Sequence, residues 1–292
     1  MIFKNNLTIF SILNLFQRLL SPSKRIYRYY SKTQKSIFSA PTKRQLERFI
    51  YTIETRSSKE YFNNLDRLCL KTKGSIILDV GTNIGYWSYA FAQSKDSKRE
   101  VIGFEPDLRN LSMAASNLSK ERGVSIFNMG LSDKPGRFSV SIPSEGKKRK
   151  YEGKFNTGLM TALENANTNG TYFIKGDKLL EILRIQFNSV ACIKIDVEGF
   201  EYKVLQGMKN LLDKTNSILI IEINPVTMIK AKYTFLELLN FLSNLGYKCL
   251  IEEKLDIKIS NSIPAAPFNM IAVKEFLYKD ACKIMKAAEI NL

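Results

Sequence analysis

The sequence predicts an α/β protein built on a Rossmann-like, mostly parallel sheet with helices on both faces. Apolar runs of strand length alternate with amphipathic segments of helix length from residue 75 to residue 274, and such alternation is typical of parallel sheets covered by helices. The first apolar run ends in a glycine-rich turn, and the second ends in a carboxylate at Glu105. A strand, a glycine turn, a helix and a second strand that ends in an acidic residue form the nucleoside-binding half of such a sheet.

The predicted elements follow one another along most of the chain. Strands are predicted at residues 75–80, 101–105, 124–129, 191–197, 217–223, 247–253 and 268–274, with a hairpin strand at 137–142. Helices are predicted at residues 42–70, 86–93, 107–121, 177–184, 201–213 and 234–245, and over the last residues. Residues 144–170 are rich in Lys, Asn and Gly and have little apolar periodicity. We interpret them as a long mobile loop, either a lid or recognition loop or a solvated insertion.

The glycine-rich turn distinguishes two classes of cofactor. A dinucleotide-binding turn has the pattern Gly-x-Gly-x-x-Gly, which lets a pyrophosphate approach the N-terminus of the next helix. This chain has Asp79, Gly81, Asn83 and Gly85 at alternate positions, with one glycine fewer and an acidic residue ahead of the turn. A carboxylate there repels a pyrophosphate but suits S-adenosylmethionine, which carries a sulfonium and an ammonium group. The alternative is an ordinary turn without a ligand. Glu105 counts against it, because its carboxylate can accept hydrogen bonds from both ribose hydroxyls.

A second group of charges ends the strand predicted at residues 191–197. Side chains alternate along a strand, so Lys194, Asp196 and Glu198 face the same side. Charges on a buried strand are costly unless they reach a cleft, which in open α/β sheets lies at the carboxyl ends of the strands. Glu222 ends the following strand at the same rim. Glu201 falls in the first turn of the next helix, where a carboxylate also suits the helix dipole.

The composition excludes several kinds of active site. The chain has no histidine, and its four cysteines, Cys69, Cys192, Cys249 and Cys282, are far apart in sequence. Zinc sites of the Cys/His type and nucleophiles activated by histidine are therefore excluded, and any general base must be Asp, Glu, Lys, Tyr or Cys. Scattered cysteines fit a reducing compartment, so we expect a cytoplasmic protein.

The formal charge of +16 is concentrated at the N-terminus. Residues 1–50 contain ten Lys or Arg and one acidic residue, a net charge of 10 − 1 = +9. We therefore separate a basic, amphipathic N-terminal arm, residues 1–50, from a globular domain, residues 51–292. The apolar stretch 7–20 is interrupted by polar residues and is shorter than the roughly 20 residues that span a bilayer. One interpretation is a packed helix or a poorly ordered arm; the other is a peripheral membrane contact through residues 1–40.

Taken together, the motifs resemble the FkbM-type family of S-adenosylmethionine-dependent methyltransferases over about residues 75–273. The resemblance is carried by the segments 79–85, 103–106, 131–133, 176–179, 193–201 and 204–207. Thr82 replaces the usual alanine and Gly176 a common threonine, and we expect neither change to abolish cofactor binding. The resemblance implies a class I methyltransferase fold, with a seven-stranded sheet whose last strand is antiparallel.

The resemblance also implies a role for each matching residue. Cofactor-binding residues are Asp79, Gly81, Thr82, Asn83 and Gly85 around the methionine part, Glu105 at the ribose, and Leu131 and Ser132 along the adenine. Asp196 and Glu198 are implied to lie beside the transferred methyl group and the acceptor. Members of the family commonly methylate hydroxyl groups of sugars or secondary metabolites. We therefore expect O-methylation of a sugar, a glycan or a small metabolite.

The carboxylates suggest how the acceptor is activated. A hydroxyl acceptor benefits from a base that takes its proton as the new bond forms. We predict that Asp196 or Glu198 orients or deprotonates the acceptor, and that Lys194 keeps a carboxylate ionised or binds an anionic acceptor. Asp196, Glu198 and Glu222 could also supply oxygen ligands to magnesium. Carboxylates that line a cleft are commoner than metal sites, so no metal is predicted.

Two other functions remain as alternatives. The first is a nicotinamide-dependent oxidoreductase, which the missing glycine and Asp79 disfavour. The second is a degenerate methyltransferase scaffold that acts as a binding protein, for example on nucleic acid through the basic arm. No specific nucleic-acid partner is predicted, because the segment 196–199 lacks the Asn/Asp-Pro-Pro-aromatic signature of many nucleic-acid methyltransferases.

Overall fold

The computed structural model describes residues 59–93, 99–141, 161–164, 170–252, 259–260, 263–264 and 266–290 of the chain. The N-terminal arm, the first part of the helix predicted at 42–70 and most of the loop predicted at 144–170 lie outside these residues. Within that loop, Thr161–Glu164 forms a strand.

The described elements, in chain order, confirm the alternation of strands and helices. The strands are β1 (Ile76–Val80), β2 (Glu100–Phe104), β3 (Val124–Phe127), β4 (Gly130–Leu131), β5 (Gly136–Ser141), β6 (Thr161–Glu164), β7 (Thr171–Ile174), β8 (Val190–Ile195), β9 (Ile218–Ile223), β10 (Tyr247–Glu252), β11 (Ile259–Ser260), β12 (Ile263–Pro264), β13 (Phe268–Lys274) and β14 (Ala287–Glu289). The helices are α1 (Lys59–Cys69), α2 (Tyr86–Ala92), α3 (Leu108–Asn117), α4 (Gly176–Ile182), α5 (Glu201–Gly207), α6 (Lys209–Lys214), α7 (Pro225–Ala231), α8 (Phe235–Asn244) and α9 (Tyr278–Met285). Within this described part of the chain, no helix has the length and apolar character needed to cross a bilayer.

The main sheet has the strand order β14-β10-β13-β9-β8-β1-β2-β3. The five strands from β9 to β3 run parallel, and β13 is antiparallel to both β9 and β10. The predicted seven-stranded, mostly parallel sheet with an antiparallel last strand is therefore confirmed. The short strand β14 adds an eighth strand at the edge, where helix was predicted.

Helices cover both faces of this sheet, as predicted. One apolar cluster joins the sheet to α4, α5, α6 and α8, and a second cluster joins its other face to α1, α2 and α9. The central strand β8 is buried at every position, because it has a layer of helices on each side. The apolar runs that predicted strands thus arise from burial on both faces.

A smaller four-stranded sheet, in the order β4-β7-β5-β6, follows β3 in the chain. Only β5 was predicted as a separate hairpin strand. Its partner β7 was not predicted, because the pairing of β5 with β7 joins segments more than 30 residues apart. The small sheet packs against the segment that follows β8, since Phe138 and Phe173 form an apolar cluster with Phe200 of that segment. In addition, Thr171 Oγ1 donates a hydrogen bond to the carbonyl of Pro106, just after β2, at 2.7 Å.

The Gly176–Leu179 motif has a structural explanation. The Asp177 carboxylate accepts hydrogen bonds from the main-chain N–H groups of Asn210 and Leu211, both at 2.9 Å, and so caps the start of α6. Gly176 lies against the side chain of Met208, which a Cβ at this position would displace. The helix predicted at residues 201–213 is in the structure two helices, α5 and α6, that meet at Met208.

Helix α7 was not predicted, although Asn224 caps it and Pro225 is its first residue.

Candidate functional site

The site lies at the carboxyl ends of β1, β2, β8 and β9, where the parallel strands of the main sheet end side by side. The turn after β1 has three residues with left-handed backbone conformations, at Gly81 (φ 87°), Asn83 (φ 52°) and Gly85 (φ 95°). The N–H groups of Gly81 and Thr82 donate to the carbonyl of Phe104 at 3.0 and 3.1 Å. The glycine turn is therefore held against the end of β2.

Glu105 closes this turn from the neighbouring strand. Its buried carboxylate accepts hydrogen bonds from the N–H of Asn83 at 2.7 Å and the N–H of Asp107 at 2.8 Å. Burial raises the pKa of Glu105 to about 8, although both N–H groups favour the ionised form. Each carboxylate oxygen has a second lone pair, so Glu105 can still accept a hydrogen bond from a ligand hydroxyl.

Asp79 is fully buried near the end of β1, and only one of its two carboxylate oxygens accepts a hydrogen bond from the described residues. Its Oδ2 accepts a hydrogen bond from the hydroxyl of Ser88, whereas its Oδ1 has no hydrogen-bond partner among the described residues. Burial raises the pKa of Asp79 to about 6, and the nearby charge of Lys194 opposes that rise. A buried carboxylate oxygen without a donor is costly, so this atom suits a ligand that brings a positively charged donor.

The other predicted cofactor-binding residues contact neighbouring parts of the protein. They are Thr82, Leu131 and Ser132. Thr82 Oγ1 donates to the carbonyl of Asp79 at 3.0 Å, and its side chain fills the space above Gly103. Leu131 belongs to the large apolar cluster, and Ser132 is buried with its N–H donating to Ile174 at 3.0 Å. Thr82 belongs to the glycine turn, and Leu131 and Ser132 come a few residues after β3. Their roles beside a cofactor stay predictions.

The structure brings together the predicted carboxylates at the ends of β8 and β9. One carboxylate oxygen from each of Asp196, Glu198 and Glu222 lies within 4.8 Å of the other two. We call these three residues the acidic cluster. Each of the three residues is partly exposed. Oxygens at this spacing could also surround a cation, and the prediction that none is required stays a prediction.

Lys194 lies under the acidic cluster and is completely buried. Its ammonium group donates to Asp196 Oδ2 at 3.2 Å and to Asn269 Oδ1 at 3.1 Å, and it lies 4.8 Å from the centre of the Trp87 ring. Asn269 and Trp87 were not predicted as site residues. Trp87 stands directly after the glycine turn and is the only tryptophan, but nothing in the sequence pairs it with Lys194.

The acidic cluster holds a proton more tightly than separate carboxylates would. Burial and the charge of Asp196 raise the pKa of Glu198 to about 8 and that of Glu222 to about 10, while Lys194 opposes both shifts. Three neighbouring carboxylates with one buried cation cannot all ionise at low cost. At neutral pH the cluster therefore contains at least one carboxyl group that is ready to exchange a proton.

Glu201 lies in the first turn of α5, as the sequence predicted, where a carboxylate suits the helix dipole. Its buried carboxylate turns back and accepts hydrogen bonds from the N–H groups of Val197 and Gly199 at 3.1 and 3.0 Å. The hydroxyl of Tyr233 donates to the same carboxylate at 2.7 Å. Glu201 thus shapes the turn that carries Glu198, and Tyr233 joins a site in which it was not predicted.

The two halves of the site meet through the main chain. A Cβ added at Gly81 would overlap the carbonyl oxygen of Asp196. The turn that carries Asn83 and contacts Glu105 is consequently adjacent to the acidic cluster. The arrangement can hold a nucleoside at one end and activate a hydroxyl group at the other.

Comparisons with known proteins agree with this geometry. The family model described as the methyltransferase FkbM domain matches residues 79–249, more than half of the chain. The hexuronic acid methyltransferase AglP of Haloferax volcanii is 30% identical over 146 residues, which are 50% of this chain and 54% of that protein. The 2-O-methyltransferase NoeI of Sinorhizobium fredii is 26% identical over 156 residues, which are 51% of this chain and 63% of that protein. This chain therefore spans less than two thirds of either relative.

Among solved structures, methyltransferase FkbM from Methylobacillus flagellatus KT is one that can be superposed on this chain. It superposes with a TM-score of 0.43 at 14% identity, over 69% of this chain and 44% of that chain. The family model, in contrast, covers the glycine turn, Glu105 and the whole acidic cluster. By that match, the chain belongs to the FkbM methyltransferase domain family.

Proposed function

We propose that the protein is an S-adenosylmethionine-dependent O-methyltransferase that acts on a hydroxyl group of a sugar, a glycan or a small metabolite. The observation that carries this proposal is the contact of Gly81 with Asp196, because it joins a nucleoside-binding turn to a proton-accepting cluster. AglP, a hexuronic acid methyltransferase, supports a sugar acid as acceptor, and NoeI, a 2-O-methyltransferase, supports transfer of the methyl group to oxygen. Both proteins match this chain over only part of their length.

The residues present fit S-adenosylmethionine. The buried Oδ1 of Asp79 has no donor among the described residues and matches an ammonium group. Glu105, with its two N–H contacts already made, matches the ribose hydroxyls. Gly85 leaves the end of the turn without a side chain. The cofactor supplies a methyl group bound to a positively charged sulfur, which is a good leaving group.

The protein then contributes position and proton transfer. The glycine turn and Glu105 would hold the cofactor, which would supply the methyl group to the acceptor oxygen and keep the electron pair of the broken carbon–sulfur bond. The hydroxyl proton passes to a carboxylate of the acidic cluster. Glu198 suits this task because its pKa is raised to about 8, so that its ionised form, the minor one at pH 7, is a stronger base than an ordinary carboxylate. Asp196, paired with Lys194 at 3.2 Å, is suited to orient the hydroxyl of the acceptor.

The first experiment is a calorimetric titration of the full chain with S-adenosylmethionine, with NADH as the comparison ligand. We expect saturable binding of S-adenosylmethionine only, and its loss in a Gly81→Val, Glu105→Ala double variant. A folded wild-type protein that binds NADH, or neither ligand, would contradict the proposal.

Turnover is then tested with methyl glycosides of hexuronic acids and neutral hexoses, by release of S-adenosylhomocysteine. We expect Glu198→Gln and Asp196→Asn each to lower turnover by roughly a hundredfold, in line with general-base catalysis. The affinity for S-adenosylmethionine should change little. Full turnover by both folded variants would show that neither carboxylate is the base.

A further inference from the structure

The turn that carries Glu198 has a backbone conformation that needs support from its surroundings. Glu198 has φ 52°, and Gly199, which follows it, has φ 104°. A left-handed conformation is unfavourable for a residue with a Cβ, and it persists only where neighbouring contacts determine it. Both oxygens of Glu201 provide such contacts, since Oε1 accepts from Val197 and Gly199 and Oε2 accepts from Gly199. The N–H groups on either side of Glu198 are thus held by one carboxylate.

Tyr233 connects this turn to the end of the next strand. Its hydroxyl donates to Glu201 Oε2 at 2.7 Å, and its N–H donates to the carbonyl of Met228, in α7, at 3.3 Å. Helix α7 begins directly after β9, the strand that carries Glu222. The same helix lies on the turn, because a Cβ at Gly199 would be 3.0 Å from the carbonyl oxygen of Thr227. Tyr233 therefore ties the segment that follows Glu222 to the turn that carries Glu198.

We propose that Tyr233 and Glu201 are positioning residues, which together hold Glu198 beside Asp196 and Glu222 on the side of the acceptor. This inference rests on the proposed function, because it assigns the pair to the geometry of the proposed base. Neither residue belongs to the glycine turn or contacts Glu105 in the described structure. Their loss should consequently affect the chemical step and leave the binding of S-adenosylmethionine intact.

Tyr202 provides a matched control. Its ring stacks on that of Tyr233, with the ring centres 5.5 Å apart, and Tyr202 is also half-buried. Tyr233→Phe and Tyr202→Phe each remove one hydroxyl from the same aromatic pair. Only the first change removes a donor to Glu201.

The test measures amide hydrogen exchange and kinetics on the full chain. In Tyr233→Phe, we expect the Val197 and Gly199 amides to exchange roughly tenfold faster, since the Tyr233 hydroxyl no longer holds the Glu201 carboxyl group that accepts from both amides. The amides of β8 and β9 should exchange as in the wild type. With the methyl glycoside of glucuronic acid as the probe, kcat should fall by roughly tenfold or more, with KM and Kd for S-adenosylmethionine unchanged. Tyr202→Phe should match the wild type in each measurement.

Exchange and kcat that are the same in the two phenylalanine variants would overturn the proposal. A wild-type protein that does not bind S-adenosylmethionine would overturn the proposed function instead, while the exchange rates at Val197 and Gly199 would still decide whether the pair holds the turn. If Tyr233→Phe does not fold, Glu201→Gln replaces it in the same measurements. Glutamine has one acceptor oxygen, so it cannot accept from the Val197 and Gly199 amides with one oxygen and from the Tyr233 hydroxyl with the other. Faster exchange at the same two amides is again expected.

Discussion

Gly81 and Asp196 lie so close together that no side chain fits between them. Gly81 has φ 87°, and a Cβ there would overlap the Asp196 carbonyl oxygen. The N–H of Asp196 also donates to the carbonyl of Val80 at 3.0 Å, which continues the β1–β8 pairing one residue beyond the strands. The end of β1 and the end of β8 therefore behave as one unit, so a change in the glycine turn displaces the first residue of the acidic cluster.

The first prediction separates this close approach from the general cost of a left-handed residue. Gly81→Ala should lower the free energy of unfolding by about 3 kcal/mol or more, because strain and overlap both act. It should also abolish binding of S-adenosylmethionine in calorimetry. Gly246→Ala is the control, since Gly246 has φ 75° and nothing within 4 Å of its Cβ position. That variant should lose only about 1–2 kcal/mol and bind normally. Equal effects in both variants would contradict the role of the contact.

The second prediction concerns the buried cation under the acidic cluster. Lys194→Met should lower the free energy of unfolding by about 3–5 kcal/mol, because it leaves carboxylates without their buried counter-charge. Lys178→Met is the control, because the Lys178–Glu181 ion pair is largely exposed, with side-chain exposures of 62% and 59%. Its loss should cost less than about 1 kcal/mol. Urea unfolding at pH 7 measures both values, and a small effect for Lys194→Met would show that the cluster is stable without the cation.

The third prediction is a pH dependence of stability. The pKa of Glu105 in the folded protein, about 8, lies above its ordinary value of 4.5. The folded state therefore binds more protons than the unfolded state between these values, and this group's stabilising contribution is lost as the pH rises through about 8. In the wild type, the free energy of unfolding should therefore decrease with pH between pH 5 and pH 9. In Glu105→Gln, the slope of this decrease should be smaller by up to roughly 1.4 kcal/mol per pH unit.

Glu237→Gln serves as the control for this pH dependence. Glu237 is exposed, and hydrogen bonds from Thr234 lower its pKa, so its contribution is lost as the pH falls. The slope between pH 5 and pH 9 should therefore stay as in the wild type. Unfolding curves of the ligand-free proteins in urea supply the data. A slope for Glu105→Gln that equals the wild-type slope would contradict the assignment to Glu105.

The fourth prediction is that the Gly176–Leu179 motif stabilises the fold and does not bind the cofactor. Asp177→Ala removes the cap of α6 and should lower the free energy of unfolding by about 1–2 kcal/mol. The affinity for S-adenosylmethionine should not change, because Asp177 contacts Asn210 and Leu211 and not the glycine turn. Asp280→Ala is the control, since it removes a half-exposed ion pair with Lys71 and no contact with α6 among the described residues. Weaker cofactor binding in Asp177→Ala would give this motif a chemical role.

Much of the site could be predicted from sequence because it follows from strand order. Gly81, Glu105, Asp196 and Glu222 each come at or just after the end of an apolar run, and the ends of parallel strands share one edge of the sheet. Their proximity therefore did not depend on the details of side-chain packing.

The residues that support these groups could not be predicted in the same way. Asn269 reaches Lys194 from a strand that is 75 residues away, and Tyr233 reaches Glu201 from 32 residues away. An asparagine in a strand and a tyrosine after a helix are ordinary in sequence. Their function depends on which strand lies beside which, and that is decided when β13 inserts between β9 and β10.

The sequence by itself determined the main sheet and the group of carboxylates at its edge, because local periodicity and the positions of single charged residues are enough for both. The tertiary structure alone decided which carboxylates raise one another's pKa and which distant side chains hold them. The conformation of Glu198 shows the difference, since its φ of 52° depends on contacts that Glu201 makes on both sides of it. Burial and distance set the pKa of such groups, and both arise only when the chain has folded.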